Sequence, residues 1–104
     1  MVKISIITIC YNSQKSIFNT LDSIKSQSYK NFEHIVIDGG STDNTLEIIN
    51  RVNITNKIFS EKDKGIYDAF NKGIFNSTGE IIGFLNADDI FYDSDSLKKN
   101  SKQL

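Results

Sequence analysis

Two adjacent carboxylates, Asp88 and Asp89, end the stretch Gly83-Phe84-Leu85-Asn86-Ala87-Asp88-Asp89. The apolar run before them, Ile81 to Leu85, reads as a buried strand. A strand that delivers acidic groups to its carboxyl end is well placed to bind a divalent cation. Oxygen donors suit Mg²⁺ or Mn²⁺, and Mg²⁺ is commonly held by one or two carboxylates together with substrate phosphates. The competing reading is that Asp88 and Asp89 only cap the turn that follows, because Asp is a common turn residue.

The elements that would position these carboxylates decide between the two readings. Lys3 to Cys10 is a continuous Ile-rich run, as expected of a parallel strand covered on both faces. Tyr11-Asn12-Ser13 is a turn, with Ser13 as the expected cap of an amphipathic helix over about 14–27 on which Ile17, Leu21 and Ile24 recur. Glu33 to Asp38 reads as the second strand. Gly39-Gly40-Ser41-Thr42-Asp43 follows as a sharp loop, with Ser41 or Thr42 as the next cap. Leu46, Ile49 and Val52 predict a helix near 43–52, and Lys57 to Ser60 a short strand. After the polar loop Glu61 to Gly65, the stripe Ile66, Phe70 and Ile74 predicts a helix over 66–76, ended by Thr78-Gly79. Glu80 to Leu85 is the fourth strand, and Asp95 and Ser96 are candidate caps of a last helix.

Strands alternating with helices imply an α/β three-layer sandwich: a mostly parallel, Rossmann-like sheet with right-handed crossovers. Ligands of such sheets bind at the carboxyl ends of the strands. Tyr11 and Asn12, Asp38, and Asp88 and Asp89 all follow strands, so they should meet at one edge. That convergence favours a site over a set of unrelated caps.

The composition narrows the alternatives. The chain has 104 residues, 38% hydrophobic and 24% charged, which suits one folded domain and not a disordered segment. The net charge of −1 gives no basic footprint for nucleic acid. No apolar run approaches the ~20 residues that span a bilayer. A strand begins directly after Met-Val-Lys, so no signal peptide is visible. The sequons at Asn53 and Asn76 are therefore read as chance matches. The single cysteine, Cys10, fits a reducing compartment and reads as a small buried hydrophobe. The single histidine, His34, has no Cys or His cluster near it and reads as structural. A cytoplasmic location, or one peripheral to the inner face of the membrane, is expected.

Acidic strand ends without a positive pocket suggest recognition of a diphosphate through a metal ion, which would also act as Lewis acid for a phosphate leaving group. Asp38 would be free to accept from a nucleobase N–H or a ribose hydroxyl. Gly39 and Gly40 would let the backbone approach a ligand closely, unless they serve only a tight turn. The first strand leads into Cys10-Tyr11-Asn12-Ser13-Gln14 and not into a glycine-rich phosphate turn, which argues against dinucleotide oxidoreductases and P-loop proteins.

The ordered motifs Ser5-Ile6-Ile7-Thr8-Ile9-Cys10-Tyr11-Asn12, Ile37-Asp38-Gly39-Gly40-Ser41-Thr42-Asp43, Gly65-Ile66-Tyr67-Asp68-Ala69-Phe70-Asn71-Lys72-Gly73, Thr78-Gly79-Glu80 and Leu85-Asn86-Ala87-Asp88-Asp89 carry a resemblance across nearly the whole chain. It resembles the nucleotide-binding, N-terminal half of family 2 glycosyltransferases with the GT-A fold, of the bacterial kind that builds capsule, exopolysaccharide or lipopolysaccharide. The resemblance implies an inverting transfer of a sugar from a nucleoside diphosphate donor, a UDP-sugar by family habit, to a hydroxyl of a saccharide or lipid-linked saccharide.

Specific roles follow from the same resemblance. Ile9 and Tyr11 would border the nucleobase, Asp38 would bond the base or ribose, and Asn86 and Ala87 would lie against the nucleotide. Asp88 would bind Mn²⁺ or Mg²⁺, with Asp89 supporting the metal or the diphosphate from behind it. Asn86 stands where the family's Asp-X-Asp motif often begins with Asp, and it brings an acceptor oxygen without a charge. The loop Lys62-Asp63-Lys64 lies where relatives often touch the nucleotide, and Asp68 and Asn71 are expected to brace a helix or loop. The family's general base lies well downstream, beyond Leu104. Asp93 and Asp95 match no base position and read as turn and cap residues. The expectation is a single truncated domain over 1–104 whose exposed apolar edge could drive self-association. The alternative is a catalytically inactive nucleotide-binding module.

Overall fold

The computed structural model of the chain describes residues 2–62 and 64–101, the last three of them (99–101) by backbone alone. Strands β1 (Ile4–Cys10), β2 (Phe32–Asp38), β3 (Lys57–Ser60) and β4 (Ile81–Phe84) alternate with helices α1 (Ile17–Lys25), α2 (Thr45–Val52), α3 (Ile66–Phe75) and α4 (Ser96–Ser101). The sheet runs in the order β3-β2-β1-β4, and every adjacent pair is parallel. The α/β layered sheet expected from the sequence is therefore the fold observed.

Two apolar clusters lie on one face. Cys10 and Val36 pack with Ile17 and Leu21 of α1 and Ile49 of α2, while Ile4 and Ile6 pack with Ile24, Leu85 and Leu97. On the opposite face Ile7, Ile35 and Ile37 meet Ala69 of α3. The residues predicted to form the α1 stripe, Ile17, Leu21 and Ile24, are all fully buried.

In α3 the burial pattern departs from expectation. Ile66 and Ile74 are exposed, and the buried positions are Ala69 and Gly73. Close approach explains the choice: a Cβ on Gly73 would lie 2.6 Å from Cγ2 of Ile7, so the helix docks through its smallest residues. Strand β4 is also not the buried strand its apolar run suggested. It is a sheet edge, with Ile82 39% and Phe84 41% exposed on the α3 side. Phe84 packs there against Phe70, at 4.8 Å between ring centroids in an edge-on geometry. Apolar side chains are thus exposed at this edge, and α3 adds exposed Ile74 and Phe75.

Two buried polar groups fasten the strands. Glu33 accepts from Ser5 Oγ (2.6 Å) and from Thr78 N and Oγ1 (2.6 and 2.9 Å), with Lys57 Nζ at 3.6 Å. Burial pushes its pKa upward, but these hydrogen bonds and the Lys57 charge outweigh it and bring the value to about 2. The Thr78-Gly79 pair, read as a helix stop, therefore also anchors the α3–β4 connection to β2. His34 lies between Thr8 Oγ1 (2.7 Å) and Thr55 Oγ1 (2.8 Å), and burial lowers its pKa to about 4. It is structural, as expected.

Candidate functional site

The parallel register sets Cys10 beside Asp38 at the carboxyl ends of β1 and β2. Hydrogen bonding continues past the strands. Gly39 N donates to Cys10 O (2.9 Å), Leu85 N to Ile7 O (2.9 Å) and Ala87 N to Ile9 O (3.3 Å). These bonds carry the loops after β1, β2 and β4 around one open cavity of about 1080 Å³. Ile9, Tyr11 and Asn12 line it from β1. Gly39 and Gly40 line it from β2, and Asn86, Ala87 and Asp88 from β4. Five of the seven residues expected at the site (Ile9, Tyr11, Asn86, Ala87 and Asp88) share this cavity.

The β1–α1 and β2–α2 loops are locked to each other. Asn12 adopts a left-handed conformation (φ 47°), accepts from Thr42 N at 2.8 Å through Oδ1, and donates its own N–H to Ser41 Oγ at 2.8 Å. Asn44 N donates to Gln14 Oε1 (3.1 Å). The expected caps are reassigned by these contacts. Ser13 turns its hydroxyl back to Tyr11 O, and α1 begins only at Ile17 after a separate turn. Ser41 and Thr42 are not caps of α2 either; the carboxylate of Asp43 accepts from Thr45 N (2.9 Å) at that helix start.

Asp38, expected at the base or ribose, is placed behind the loop that follows β2. It is fully buried and does not line the cavity. Its Oδ1 accepts from Ser41 Oγ and from Cys10 Sγ (3.3 Å), and its Oδ2 accepts from Gly40 N (3.0 Å), Ser41 N (2.8 Å) and Ser60 Oγ (2.8 Å). Burial alone would raise its pKa, but the bonds from Ser41, Ser60 and Cys10 hold it below the ordinary carboxylate value. In this arrangement the Asp38 carboxylate holds the loop after β2 in shape. The wall it builds is backbone: Gly40 sits at φ +89°, which favours glycine.

The β4 end is organised as a small turn. Asp89 N donates to Asn86 O (2.9 Å), and Asn86 N donates back to Asp89 Oδ2 (3.2 Å). Thr20 Oγ1 of α1 lies 2.8 Å from Ala87 O and 2.6 Å from Asp89 O, so one hydroxyl proton pins the turn to the core. Asp89 lies outside the cavity lining and spends one oxygen on closing the turn. It thus braces the turn that carries Asp88, the residue it was expected to support from behind. Asp88 is exposed, lines the cavity and has no hydrogen-bond or ion-pair partner among the described residues. Asn86 Oδ1 is buried and likewise without a partner there. This all-oxygen donor set fits Mg²⁺ or Mn²⁺ in kind. In number it is short: the described residues hold no group of three or more acidic, His or Cys side chains able to bind a metal. A cation here would need further oxygens from its ligand.

Sequence reasoning placed the Lys62 loop near the nucleotide but missed Lys15. Lys15, in the turn before α1, and Lys62, after β3, both line the cavity, so the pocket is not devoid of positive charge. Asp63 of the same loop lies outside the described residues. The start of α3 adds Gly65, Ile66 and Ala69 to the wall. Asp68 has the bracing role expected of it, accepting from Lys64 N (3.0 Å). Lys15 carried no readable signal, because a lysine in a first helical turn is usually a solvated side chain.

Comparisons with known proteins bear on the fold and the family. A PGL/p-HBAD biosynthesis glycosyltransferase of Mycobacterium bovis is 43% identical over 83 residues, covering 76% of this chain and 32% of that protein. Among solved structures, Staphylococcus aureus TarS 1-349 in complex with UDP-GlcNAc superposes with a TM-score of 0.86 at 30% identity, over 96% of this chain and 30% of that one. The mannosyltransferase PcManGT of Pyrobaculum calidifontis, in complex with GDP-Man and Mn²⁺, gives a TM-score of 0.87 at 28% identity, over 95% and 31% of the two chains. The chain thus spans about a third of the length of these relatives. The Glycosyl transferase family 2 profile matches residues 5–99, and the chain belongs to that family.

Proposed function

We propose that this chain forms the donor-binding half of an inverting glycosyltransferase that takes its sugar from a nucleoside diphosphate. The observation that carries the proposal is the shared cavity at the carboxyl ends of β1, β2 and β4, with an exposed aromatic ring, a glycine-built backbone wall and a free carboxylate around it. Tyr11 would lie against the base, Gly39 and Gly40 would admit it closely, and Asp88 with Asn86 would face the diphosphate. A bound Mn²⁺ or Mg²⁺ would offset the diphosphate charge as the sugar leaves. The acceptor hydroxyl would attack the anomeric carbon as the bond to the diphosphate breaks, passing its proton to a carboxylate outside these residues. The acceptor would be a saccharide or lipid-linked saccharide of a surface polysaccharide, and a UDP-sugar is the proposed donor.

Support comes from TarS, solved with UDP-GlcNAc, and PcManGT, solved with GDP-Man and Mn²⁺. Calorimetric titration with UDP, GDP and dTDP in the presence of Mn²⁺ tests the proposal. Saturable binding that favours UDP is expected. Failure of all three to bind would contradict it. Donor binding accompanied by neither transfer nor donor hydrolysis would instead make this chain a binding module.

A further inference from the structure

Thr45, the first residue of α2, is fully buried. Its hydroxyl lies between two groups that fix its direction. Ser13 N donates to Thr45 Oγ1 at 2.7 Å, and Thr45 Oγ1 stands 2.5 Å from Asp43 Oδ1. An amide N–H only donates and an ionised carboxylate only accepts, so the single hydroxyl proton points at Asp43. The other oxygen of Asp43, Oδ2, accepts from Gln14 N at 3.2 Å. From the loop after β2, Thr45 and Asp43 thus take up two successive N–H groups of the β1–α1 turn. The turn passes the constraint on: Ser13 Oγ donates to Tyr11 O at 3.2 Å, and Ser13 O accepts from Ile17 N (2.9 Å) as α1 begins. Tyr11, Ser13, Gln14 and Lys15 line the cavity, whereas Thr45 does not.

Resting on the sugar-nucleotide reading above, we infer that Thr45 is a positioning residue whose hydroxyl, acting through Ser13, sets the ring of Tyr11 for the nucleotide without touching it. Tyr11 is exposed, so its direction depends on the backbone that carries it more than on packing around the ring. That backbone leaves β1 and enters the left-handed Asn12, which is tied to Ser41 and Thr42. The Asn12 contacts hold the turn at one residue, and the Thr45–Asp43 pair holds it at the next two. A hydrogen bond to an ionised acceptor is the stronger kind, and a hydroxyl between an amide and a carboxylate is polarised by both. Without that hydroxyl the Ser13 N–H loses its acceptor, and the turn must shift to find another.

Calorimetric titration of UDP in Mn²⁺ on a double-mutant cycle of Thr45→Val and Tyr11→Ala tests this, at a temperature where every chain is folded. Val keeps the shape of Thr and removes the hydroxyl. Thr45→Val should weaken UDP binding roughly 3–10-fold at unchanged stoichiometry. Thr45→Ser, which keeps the hydroxyl, should stay within about twofold of wild type. In the Tyr11→Ala background the effect of Thr45→Val should shrink to less than about twofold, because the ring through which it acts is gone. Thr45→Val that binds UDP as wild type does, with only a lower thermal midpoint, makes Thr45 a purely structural residue and overturns the inference. An equal loss with and without the Tyr11 ring overturns the route through Tyr11. Should Thr45→Val fail to fold, Asp43→Asn, at the less buried end of the same relay, carries the same cycle with the same expected and overturning results. A wild-type chain that binds no UDP overturns the sugar-nucleotide reading, and this inference with it.

Discussion

Ser41 and Asp38 form a closed unit: the Ser41 backbone N–H donates to one carboxylate oxygen at 2.8 Å while its hydroxyl donates to the other. The unit fixes the Gly39-Gly40 wall of the cavity from behind. Asn at position 38 would turn an N–H₂ group toward donors that need an acceptor. Asp38→Asn is therefore expected to cost about 2–4 kcal/mol of stability, as for a buried charged acceptor lost among its donors. Urea denaturation measures this. Unchanged stability with altered base preference would mean that Asp38 touches the nucleotide directly.

Gly73 tests how α3 docks. Replacing it with Ala removes a helix-interior glycine, a gain of about 1 kcal/mol. It also drives a Cβ to 2.6 Å from the branched, buried Ile7, and overpacking of this kind costs about 1–3 kcal/mol. The clash should win, because Ile7 is fully buried between the sheet and the helix and has no free end to move. A lower thermal midpoint is expected for Gly73→Ala, and a raised one would show that the helix can lift.

The order of elements was legible in the sequence because it rests on local signals: apolar period, turn residues and strand-length runs. Ile17, Leu21 and Ile24 announce the buried face of α1, and all are buried. The docking face of α3 was not legible. Its large residues advertise a stripe, but the helix chooses the side where Gly73 permits contact with Ile7, a residue far away in the chain. The site was half legible for the same reason. Strand ends converge by topology, so Tyr11 and Asp88 could be placed. Whether a carboxylate looks into the cavity or into the fold depends on donors contributed by other segments, and Ser60 and Cys10 claim Asp38. Lys15 enters the cavity wall through loop geometry that no local pattern encodes.

Stability should fall in two steps as the medium is acidified. His34 has a folded pKa of about 4 against an ordinary 6.5, so the unfolded chain binds its proton first. Its contribution is complete above pH 6.5 and is lost as pH falls toward 4, with a slope of up to about 1.4 kcal/mol per pH unit. Glu33, brought from 4.5 to about 2, loses its contribution between those values in the same direction. Denaturation midpoints across pH check both steps. His34→Gln should flatten the upper step, and Glu33→Gln the lower, at a cost of about 1.5–3 kcal/mol at neutral pH for the charge-assisted bonds removed.

Tyr11 is 60% exposed at the cavity rim, and its exposure suits a ring that a base can cover. Stacking of a base on an aromatic side chain is worth about 1–3 kcal/mol. Tyr11→Ala should weaken UDP binding by roughly that amount, whereas Tyr11→Phe should nearly preserve it. Titration calorimetry distinguishes the two. Equal loss in both variants would assign the contribution to the hydroxyl and not the ring.

The claim that Asp88 is the cation and diphosphate arm of the cavity is tested most directly by UDP affinity in Mn²⁺ for wild type and Asp88→Ala. Asp88 is exposed and has no partner among the described residues, so its removal should leave the thermal midpoint unchanged. The expected result is a loss of roughly 10–100-fold in UDP affinity, with the Mn²⁺ dependence abolished. Equal, Mn²⁺-dependent binding by both chains would contradict the account.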